Sequence, residues 1–220
     1  MAVTPDILLS DDGSHTLRHP VLGEVYHSTR GAVGESEHVF IRAGFDAIDR
    51  THIRLFEMGF GSGLNALLTL KRARETEKTV DYHTVELYPV APEVAERLNY
   101  VDPGDPLYNA FKTLHRSPWG IPVEVCDYFR LTKLKKSLPE SEFDTIFDVI
   151  YFDAFAPDTQ PELWTAEIFR KLYEQTAPGG VLVTYSAKGT VKEALRTAGY
   201  EVKRLPGALG KRHMLRAEKK

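Results

Sequence analysis

The chain has 220 residues, 42% of them apolar and 27% charged, with a net charge of −3 at pH 7. This length and composition predict a soluble globular protein, and no apolar run approaches the roughly 20 residues that would span a membrane. The first residues lack the pattern of a secretory signal, and the single cysteine, Cys126, excludes an internal disulfide, so we expect a cytoplasmic protein.

The first 50 residues predict a small extension that packs on a main domain formed by residues 51–220. Two short alternating stretches, "SHTLRHP" and "GEVYHS", predict a hairpin or an extended arm. The segment "GESEHVFIRAGFDAI" then predicts a helix with an apolar face. His15 and His19 are four residues apart, but their segment does not read as a helix, so we expect no metal site.

Strands and helices alternate from residue 53 onward. Apolar or alternating runs predict strands at 53–59, 80–87, 122–129, 145–155 and 179–186, and helices at 64–77, 91–99, 161–176 and 190–197. Such alternation indicates a mostly parallel sheet with helices on both faces. Two last strands, "YEVKRL" and "RHMLRAE", have no helix between them and therefore pair antiparallel. The predicted fold is α/β and Rossmann-like, a seven-stranded sheet with an antiparallel C-terminal strand, which is the architecture of class I methyltransferases.

The stretch "EMGFGSGLN" (57–65) places three glycines, Gly59, Gly61 and Gly63, between the first strand of this alternation and the helix that follows it. A dinucleotide fingerprint would need a further glycine where Leu64 stands, and a Walker loop would need a lysine after Gly63. The spacing G-x-G-x-G after the acidic Glu57 is typical of sites for S-adenosylmethionine (SAM). The alternative is a tight strand-to-helix turn without a ligand.

Acidic residues end successive predicted strands at the same edge of the sheet. Glu86 can accept both hydroxyls of a ribose, and Asp127 is placed to accept a hydrogen bond from the amine of an adenine. Each acid alone would more simply be a solvated or capping residue, but together they predict a nucleoside site. An acidic pocket also favours the sulfonium cation of SAM.

The fourth predicted strand runs into "YFDAFAPDTQPELW". Asp153 ends this strand, where it can orient an acceptor amine or take its proton, so that the lone pair faces the methyl carbon. Tyr151, Phe155 and Trp164 can form an aromatic wall for a planar base, although Phe155 and Trp164 would equally suit the core.

The C-terminal segment 188–220 is strongly basic. It holds ten lysines and arginines against three glutamates, a net charge of +7, while the rest of the chain carries −10. Such asymmetry indicates a surface for an anionic partner. The alternative is a solvated face with a charged tail.

Four of these stretches, "EMGFGSGLN", "DAFAPDTQPELWT", "TYSAKGTVKEALRTAGYEV" and "GALGKRHML", resemble motifs of the MnmC-like tRNA methyltransferase family. The stretch "EVYHSTRGAVGESEHVFIRAG" resembles the segment before the SAM domain in that family, so the resemblance covers roughly residues 14–216. It implies a SAM-dependent N-methyltransferase of tRNA. The acceptor would be the primary amine of 5-aminomethyl-(2-thio)uridine at the wobble position, and the product 5-methylaminomethyl-(2-thio)uridine.

The resemblance also implies roles for individual residues. The cofactor would be bound by Glu57, Gly59, Gly61, Gly63, Asn65, Glu86 and Asp127. Asp153 would be the catalytic residue that faces the amine. The substrate would be bound by Phe155, Pro157, Trp164, Lys211 and Arg212, the last two of which would meet RNA phosphate.

SAM is the only cofactor that we expect. Some family members carry a C-terminal FAD-dependent oxidoreductase domain, but no second glycine fingerprint occurs before Lys220, so we expect no FAD. The scattered histidines predict no metal. A tRNA is the expected partner, with no membrane, and the oligomeric state stays open.

Three alternatives remain open from the sequence. One is a SAM-dependent methyltransferase of another amine or another nucleic acid on the same scaffold. Another is an NAD-dependent oxidoreductase, which Glu86 would serve equally but which Leu64 disfavours. The last is a binding module with a degenerate SAM fold, which the intact acids and Asp153 disfavour.

Overall fold

An eight-stranded sheet forms the centre of the protein, as described for residues 4–220 by a computed structural model. The strands of the described chain are β1 (Asp6–Leu9), β2 (His15–Arg18), β3 (His52–Met58), β4 (Thr79–Val85), β5 (Pro122–Cys126), β6 (Phe129–Leu134), β7 (Phe147–Phe152), β8 (Thr176–Thr184), β9 (Glu201–Pro206) and β10 (His213–Glu218). The first two form a separate hairpin, and the others line up in the order β5-β6-β4-β3-β7-β8-β10-β9.

Helices cover both faces of this sheet. They are α1 (Ala32–Ser36), α2 (Leu64–Thr76), α3 (Pro92–Ala95), α4 (Tyr108–Arg116), α5 (Ala166–Glu174) and α6 (Gly189–Ala198). A π-helical segment spans Glu37–Arg42, and 3₁₀ turns span Phe45–Ala47 and Pro161–Leu163. Within residues 4–220, no helix has both the length and the apolar character needed to cross a membrane.

The five strands β6, β4, β3, β7 and β8 run parallel to their neighbours. Beyond them, β10 pairs antiparallel with β8, and β9 pairs antiparallel with β10. The predicted parallel sheet with an antiparallel C-terminal strand is therefore confirmed. The carboxyl ends of the five parallel strands meet at one edge, where ligands bind in such sheets.

The predicted strand at 122–129 is wrong, because this segment is a hairpin. β5 ends at Cys126, the chain turns at Asp127 and Tyr128, and β6 returns antiparallel beside it. The apolar residues Val123, Val125 and Phe129 share one alternation on the two sides of the turn, and only Asp127 interrupts it, so the pattern gives little sign of the reversal. The hairpin adds an eighth strand to the seven predicted.

The core has two apolar layers, one on each face of the sheet. Leu67 of α2 and Tyr151 of β7 belong to one layer, while Phe169 of α5 and Leu195 of α6 belong to the other. All six residues of β7 are buried because this strand lies at the centre of the sheet with helices on both sides. A continuous apolar run is the sequence pattern of such a strand.

The N-terminal extension differs from its prediction in local structure. β1 pairs with β2, whereas "GEVYHS" contributes only an isolated bridge between Arg18 and Val25. The predicted helix is divided into α1, the π-helical segment and a 3₁₀ turn. Ala32 and Ile41 pack against Leu64 and Leu68 of α2, so the extension is anchored beside the glycine turn.

Candidate active site

The turn between β3 and α2 has a conformation that glycine allows. Gly59, Gly61 and Gly63 have φ angles of +87°, +50° and +72°. A Cβ on Gly61 would lie 2.9 Å from the Tyr26 ring, and one on Gly63 would lie 2.6 Å from Nε2 of His115. Two of the three glycines therefore make room for the protein's own side chains as well as for a positive φ.

A cavity of about 330 Å³ lies beyond the carboxyl ends of the parallel strands. The residues at these ends that line it include Gly59 after β3, Glu86 after β4, Lys136 after β6 and Asp153 after β7. Residues 24–28 of the extension form another part of the wall. The cavity thus lies between the sheet edge and the extension.

Glu86 lies where the sequence predicted a ribose acceptor. Its Oε2 accepts a hydrogen bond of 3.0 Å from the Gly61 backbone N–H, and its Oε1 accepts one of 2.8 Å from the Tyr88 backbone N–H. Each oxygen keeps further acceptor capacity toward the cavity. Burial raises the pKa of Glu86, so a hydroxyl or a cation bound there would stabilise the ionised form.

Asn65 bridges two buried carboxylates. Its Nδ2 donates to Oε1 of Glu57 at 3.0 Å and to Oδ2 of Asp153 at 2.8 Å. Burial, together with the neighbouring Asp153 charge, raises the pKa of Glu57 well above its ordinary value. Glu57 is almost fully buried and does not line the cavity, so it acts on the site through Asn65.

Asp153 lies at the cavity wall and holds its proton more tightly than an ordinary aspartate does. Burial and the nearby Glu35 charge raise its pKa to about 7, against the opposing effects of the Asn65 hydrogen bond and the Lys211 charge. Its Oδ1 makes no hydrogen bond within residues 4–220. Asp153 can therefore exchange a proton with a bound group near neutral pH.

Phe155 and Tyr26 form an aromatic pair on the cavity wall. Their ring centroids are 5.2 Å apart in an edge-to-face arrangement, and His19 packs against Phe155 at 5.5 Å. Trp164 does not line the cavity. It is 6% exposed, packs on Phe152 in the core, and donates from Nε1 to the Phe155 carbonyl at 2.9 Å, so it holds the loop rather than a base.

Besides Glu57 and Trp164, four predicted site residues do not line the cavity: Gly63, Asp127, Pro157 and Arg212. Asp127 is exposed in the β5–β6 turn, which pairs beside the start of β4, so it is at the opposite edge of the sheet from the cavity. Pro157 and Arg212 do not line the cavity either, and Arg212 is exposed. Lys211 lines it but forms an ion pair with Glu35, so its ammonium is not free for phosphate.

Sequence reasoning missed the residues of the wall that come from other segments. They are Tyr26, His27 and Glu35 from the extension, and Lys136, Ser137 and Leu138 after β6. The last three occupy the edge position that was assigned to Asp127. His27 bonds through Nε2 to Ser62 Oγ at 2.9 Å, and burial lowers its pKa to about 4, so it is neutral at pH 7.

These residues fit SAM. The buried Oδ1 of Asn65 has no hydrogen-bond partner within the described residues, and Asn65 lines the cavity, so this oxygen can accept from a donor on the cofactor. Glu86 can accept from ribose hydroxyls, and the surrounding carboxylates favour a sulfonium. Within residues 4–220, no group of three or more His, Cys, Asp or Glu side chains could hold a metal ion.

The fold and this cavity define a class I SAM-dependent methyltransferase. Residues 128–220 match the sequence model of a family described as S-adenosyl-L-methionine-dependent methyltransferase. SAM-bound CalS10, an amino pentose methyltransferase from Micromonospora echinaspora, shares the fold with a TM-score of 0.51 at 15% identity, over 87% of this chain and 93% of that one.

Two further proteins narrow the class. The chain is 31% identical to the tRNA 5-methylaminomethyl-2-thiouridine biosynthesis bifunctional protein MnmC of Pseudomonas fluorescens, over 97% of this chain and 35% of that protein. It matches the crystal structure of MNMC2 from Aquifex aeolicus with a TM-score of 0.77 and 28% identity, over 98% of this chain and 70% of that one. The chain is thus similar to MnmC-like proteins over almost its whole length, and it spans about a third of the length of the curated relatives it matches.

Proposed function

We propose that this enzyme transfers a methyl group from SAM to the primary amine of 5-aminomethyl-(2-thio)uridine at the tRNA wobble position, giving 5-methylaminomethyl-(2-thio)uridine. The observation that carries the proposal is Asp153, a cavity carboxylate that Asn65 holds through one oxygen and whose pKa is raised to about 7. The relatives' name, which includes the methylated nucleoside, supports this substrate.

An amine that accepts a methyl group needs a nearby carboxylate to take its proton. A primary amine has a pKa near that of lysine, about 10.4, so it arrives as an ammonium ion without a lone pair. Oδ1 of Asp153 can accept a hydrogen bond from this ion and then its proton, which leaves the amine neutral and oriented. When bound, SAM supplies the electrophilic methyl group on a positively charged sulfur.

The remaining parts of the wall suit a nucleobase. Phe155 and Tyr26 offer aromatic surface beside Asp153, and single-stranded bases stack on such side chains. The loop that carries Phe155 is tied to the extension by a hydrogen bond of 2.8 Å from Thr159 Oγ1 to Glu24 Oε1. An unstacked uridine would thus be bound between the loop after β7 and the extension.

An RNA partner is supported by cations on α6 and β9. Lys192 and Arg196 lie one turn apart on α6, and Arg204 on β9 is near enough to lower the pKa of Lys192, after the larger effect of Arg196. The ion pairs of segment 188–220 found among the described residues involve Lys188, Lys203, Lys211 and Lys220 instead. We infer that Lys192, Arg196 and Arg204 bind RNA phosphate. A tRNA substrate would also place the enzyme in the cytoplasm.

The test is nucleoside analysis after reaction. The full chain is incubated with SAM and tRNA that carries 5-aminomethyl-2-thiouridine, and the tRNA is digested and analysed by mass spectrometry. The proposal expects a gain of one methyl group on that nucleoside alone, with tRNA that carries unmodified uridine as the control. Methylation of a small aliphatic amine without methylation of the tRNA would support the alternative acceptor, and SAM binding without either product would refute the amine acceptor.

A further inference from the structure

Glu35 brings a carboxylate from the N-terminal extension to the cavity wall. It is only 6% exposed and lies on α1, outside the methyltransferase sheet. Its Oε2 accepts a hydrogen bond of 2.9 Å from the Ser28 backbone N–H, and its Oε1 accepts one from Nζ of Lys211. A buried charge is stable only when it is paired, and these two contacts pair both oxygens.

Lys211 reaches this carboxylate from the connection between β9 and β10. Its Nζ lies 5.1 Å from the ring centroid of Tyr185, whose hydroxyl donates to the Ala154 carbonyl at 2.9 Å. The ammonium therefore lies at the ring of a side chain that bonds to the residue after Asp153, and its charge acts on Asp153. A second cation so close to the acceptor site would repel an incoming ammonium unless its charge were balanced.

We propose that Glu35 is a positioning residue of the acceptor site, which holds Lys211 in an ion pair and so leaves the Asp153 carboxylate free to bind the acceptor ammonium and take its proton. This inference rests on the proposed amine acceptor. It gives the extension a part in the reaction, in addition to its contribution to the cavity wall.

The charged groups around Asp153 agree with this role. Glu35 raises the pKa of Asp153 and Lys211 lowers it, so the two charges oppose each other at this carboxyl group. The other polar or titratable groups that face Asp153 are Asn65 from α2, Glu57 from β3, Tyr82 from β4 and Tyr185 after β8. Among the groups that act on the Asp153 pKa, Lys211 is the one cation, and Glu35 is its partner.

The proton and electron balance shows why a free carboxylate matters. One N–H bond of the acceptor ammonium breaks, and its proton goes to Asp153. The neutral nitrogen then forms a bond to the methyl carbon while the carbon–sulfur bond breaks, and that electron pair goes to sulfur. The product leaves as a secondary ammonium ion. If Lys211 occupied Asp153 instead of Glu35, the first proton transfer would lose its acceptor.

Carbon-13 NMR of the free enzyme tests the inference without any substrate. The protein is labelled at the aspartate carboxyl carbons, and the Asp153 signal is assigned by its loss in Asp153→Asn. In Glu35→Gln, which keeps an acceptor for the Ser28 N–H, Lys211 loses its charged partner. We expect the Asp153 titration midpoint to fall by about one to two pH units. An unchanged midpoint in Glu35→Gln would overturn the inference.

Two further variants separate charge from structure. Lys211→Met keeps an apolar stem against Tyr185 and should raise the Asp153 midpoint, and the Glu35→Gln/Lys211→Met double variant should return it to within about half a unit of the wild type. A purely structural role would not produce this restoration, so a double variant that stays shifted like Glu35→Gln also overturns the inference. If Glu35→Gln does not fold, an unshifted Asp153 midpoint in Lys211→Met would also overturn the inference.

The activity readout keeps this inference distinguishable from the proposed function. With 5-aminomethyl-2-thiouridine tRNA, the plateau of kcat/KM should fall in Glu35→Gln while its rising limb moves to lower pH, and the limb should return in the double variant. If neither the wild type nor any variant methylates the tRNA but the NMR midpoints shift as expected, the proposed substrate is wrong and the Glu35–Lys211 pairing stands. If the tRNA is methylated and neither midpoint shifts, the role of Glu35 is wrong and the proposed function stands.

Discussion

Asn65 and Asp153 are joined by a hydrogen bond of 2.8 Å between Nδ2 and Oδ2, although 88 residues separate them in the chain. The same amide nitrogen donates to Glu57 at 3.0 Å, so its two hydrogens restrain two carboxylates. Its carbonyl oxygen is buried and has no hydrogen-bond partner within residues 4–220. One residue in the first turn of α2 thus ties the end of β3 to the end of β7 and orients the base of the proposed reaction.

Removal of the Asn65 amide should shift the pH profile. Because the Asn65 hydrogen bond lowers the pKa of Asp153, its loss in Asn65→Ala raises that pKa above about 7. The base must be ionised, so the rising limb of kcat/KM moves to higher pH. A hydrogen bond to a charged group contributes about 1.5–3 kcal/mol, so activity at neutral pH should fall by roughly 10-fold or more and recover in part at high pH.

The matched control for this variant is Asn109→Ala, on the exposed surface of α4. It should leave both the rate and the pH profile unchanged. If the activity of Asn65→Ala falls equally at all pH values, the amide acts only on cofactor binding and not on Asp153.

Asp153→Asn should separate catalysis from stability. The variant lacks the base, so turnover should fall by about 10²-fold or more, while SAM affinity changes much less. Burial, and to a smaller extent the Glu35 charge, raise the pKa of Asp153 to about 7 in the folded protein. In the unfolded chain an aspartate has a pKa of about 3.9. The stability that this group contributes is therefore present below the unfolded pKa and is lost as the pH rises through 7.

Because the ionised Asp153 carboxylate destabilises the folded protein at high pH, Asp153→Asn should be more stable than the wild type there, although it is inactive. Near pH 8, Asp153→Asn should have a free energy of unfolding larger than the wild type by about 1–4 kcal/mol, and near pH 4 the two should agree. Urea denaturation at the two pH values measures the difference. An equal increment at both pH values would show that the effect does not come from ionisation.

The ribose and adenine assignments can be compared by two conservative variants. Glu86→Gln removes a cavity carboxylate and should weaken SAM binding by about 10-fold or more, because a charge-assisted hydrogen bond to a ribose hydroxyl is lost. Asp127→Asn changes an exposed turn at the opposite sheet edge and should leave the affinity within about twofold of the wild type. Calorimetry with SAM measures both, and a large loss in Asp127→Asn would contradict the observed hairpin.

The contrast between Glu86 and Asp127 shows how far the sequence could predict the site. Glu86 follows an alternating run and Asp153 follows an apolar run. Both runs are parallel strands, so the end of each run marks the cavity edge. The run at 122–129 instead hides a turn, because Val123 and Val125 before Asp127 and Phe129 after it keep the same alternation. Local pattern gives the strand ends only where no reversal interrupts the pattern.

The sequence pattern could not predict the cavity residues of the extension, because their position depends on tertiary packing. Tyr26 and Glu35 reach the cavity because α1 and the segment before it pack against α2, which is a tertiary arrangement without a periodic signal. The charge asymmetry of the C-terminal segment was visible, but not that Lys211 would find Glu35 while Arg204 would remain exposed. Sequence thus predicted most strands of the sheet and the edge at which the cavity lies, whereas the β5–β6 hairpin and the pairing between distant side chains required the structure.

Gly63 should be intolerant of a side chain because two effects combine there. Its φ of +72° disfavours any L side chain by about 1–2 kcal/mol, and a Cβ would lie 2.6 Å from the buried His115 ring. Gly120 has a similar φ of +85° with nothing within 4 Å of its Cβ position, so Gly120→Ala carries the backbone cost alone. Urea denaturation should show Gly63→Ala less stable than Gly120→Ala by about 1–3 kcal/mol. Equal losses would mean that His115 moves aside freely.

RNA affinity should depend on the basic surface of α6 and β9. Arg196→Gln/Arg204→Gln removes two exposed cations and should weaken tRNA binding at moderate salt. The slope of log K against log salt should also become shallower by about 1–2, since each lost phosphate contact contributes roughly 0.7–0.9. The control, Lys71→Gln/Arg74→Gln, removes the same charge from exposed positions of α2 on the other face of the sheet. Equal losses in both variants would show that net charge, and not this surface, governs binding.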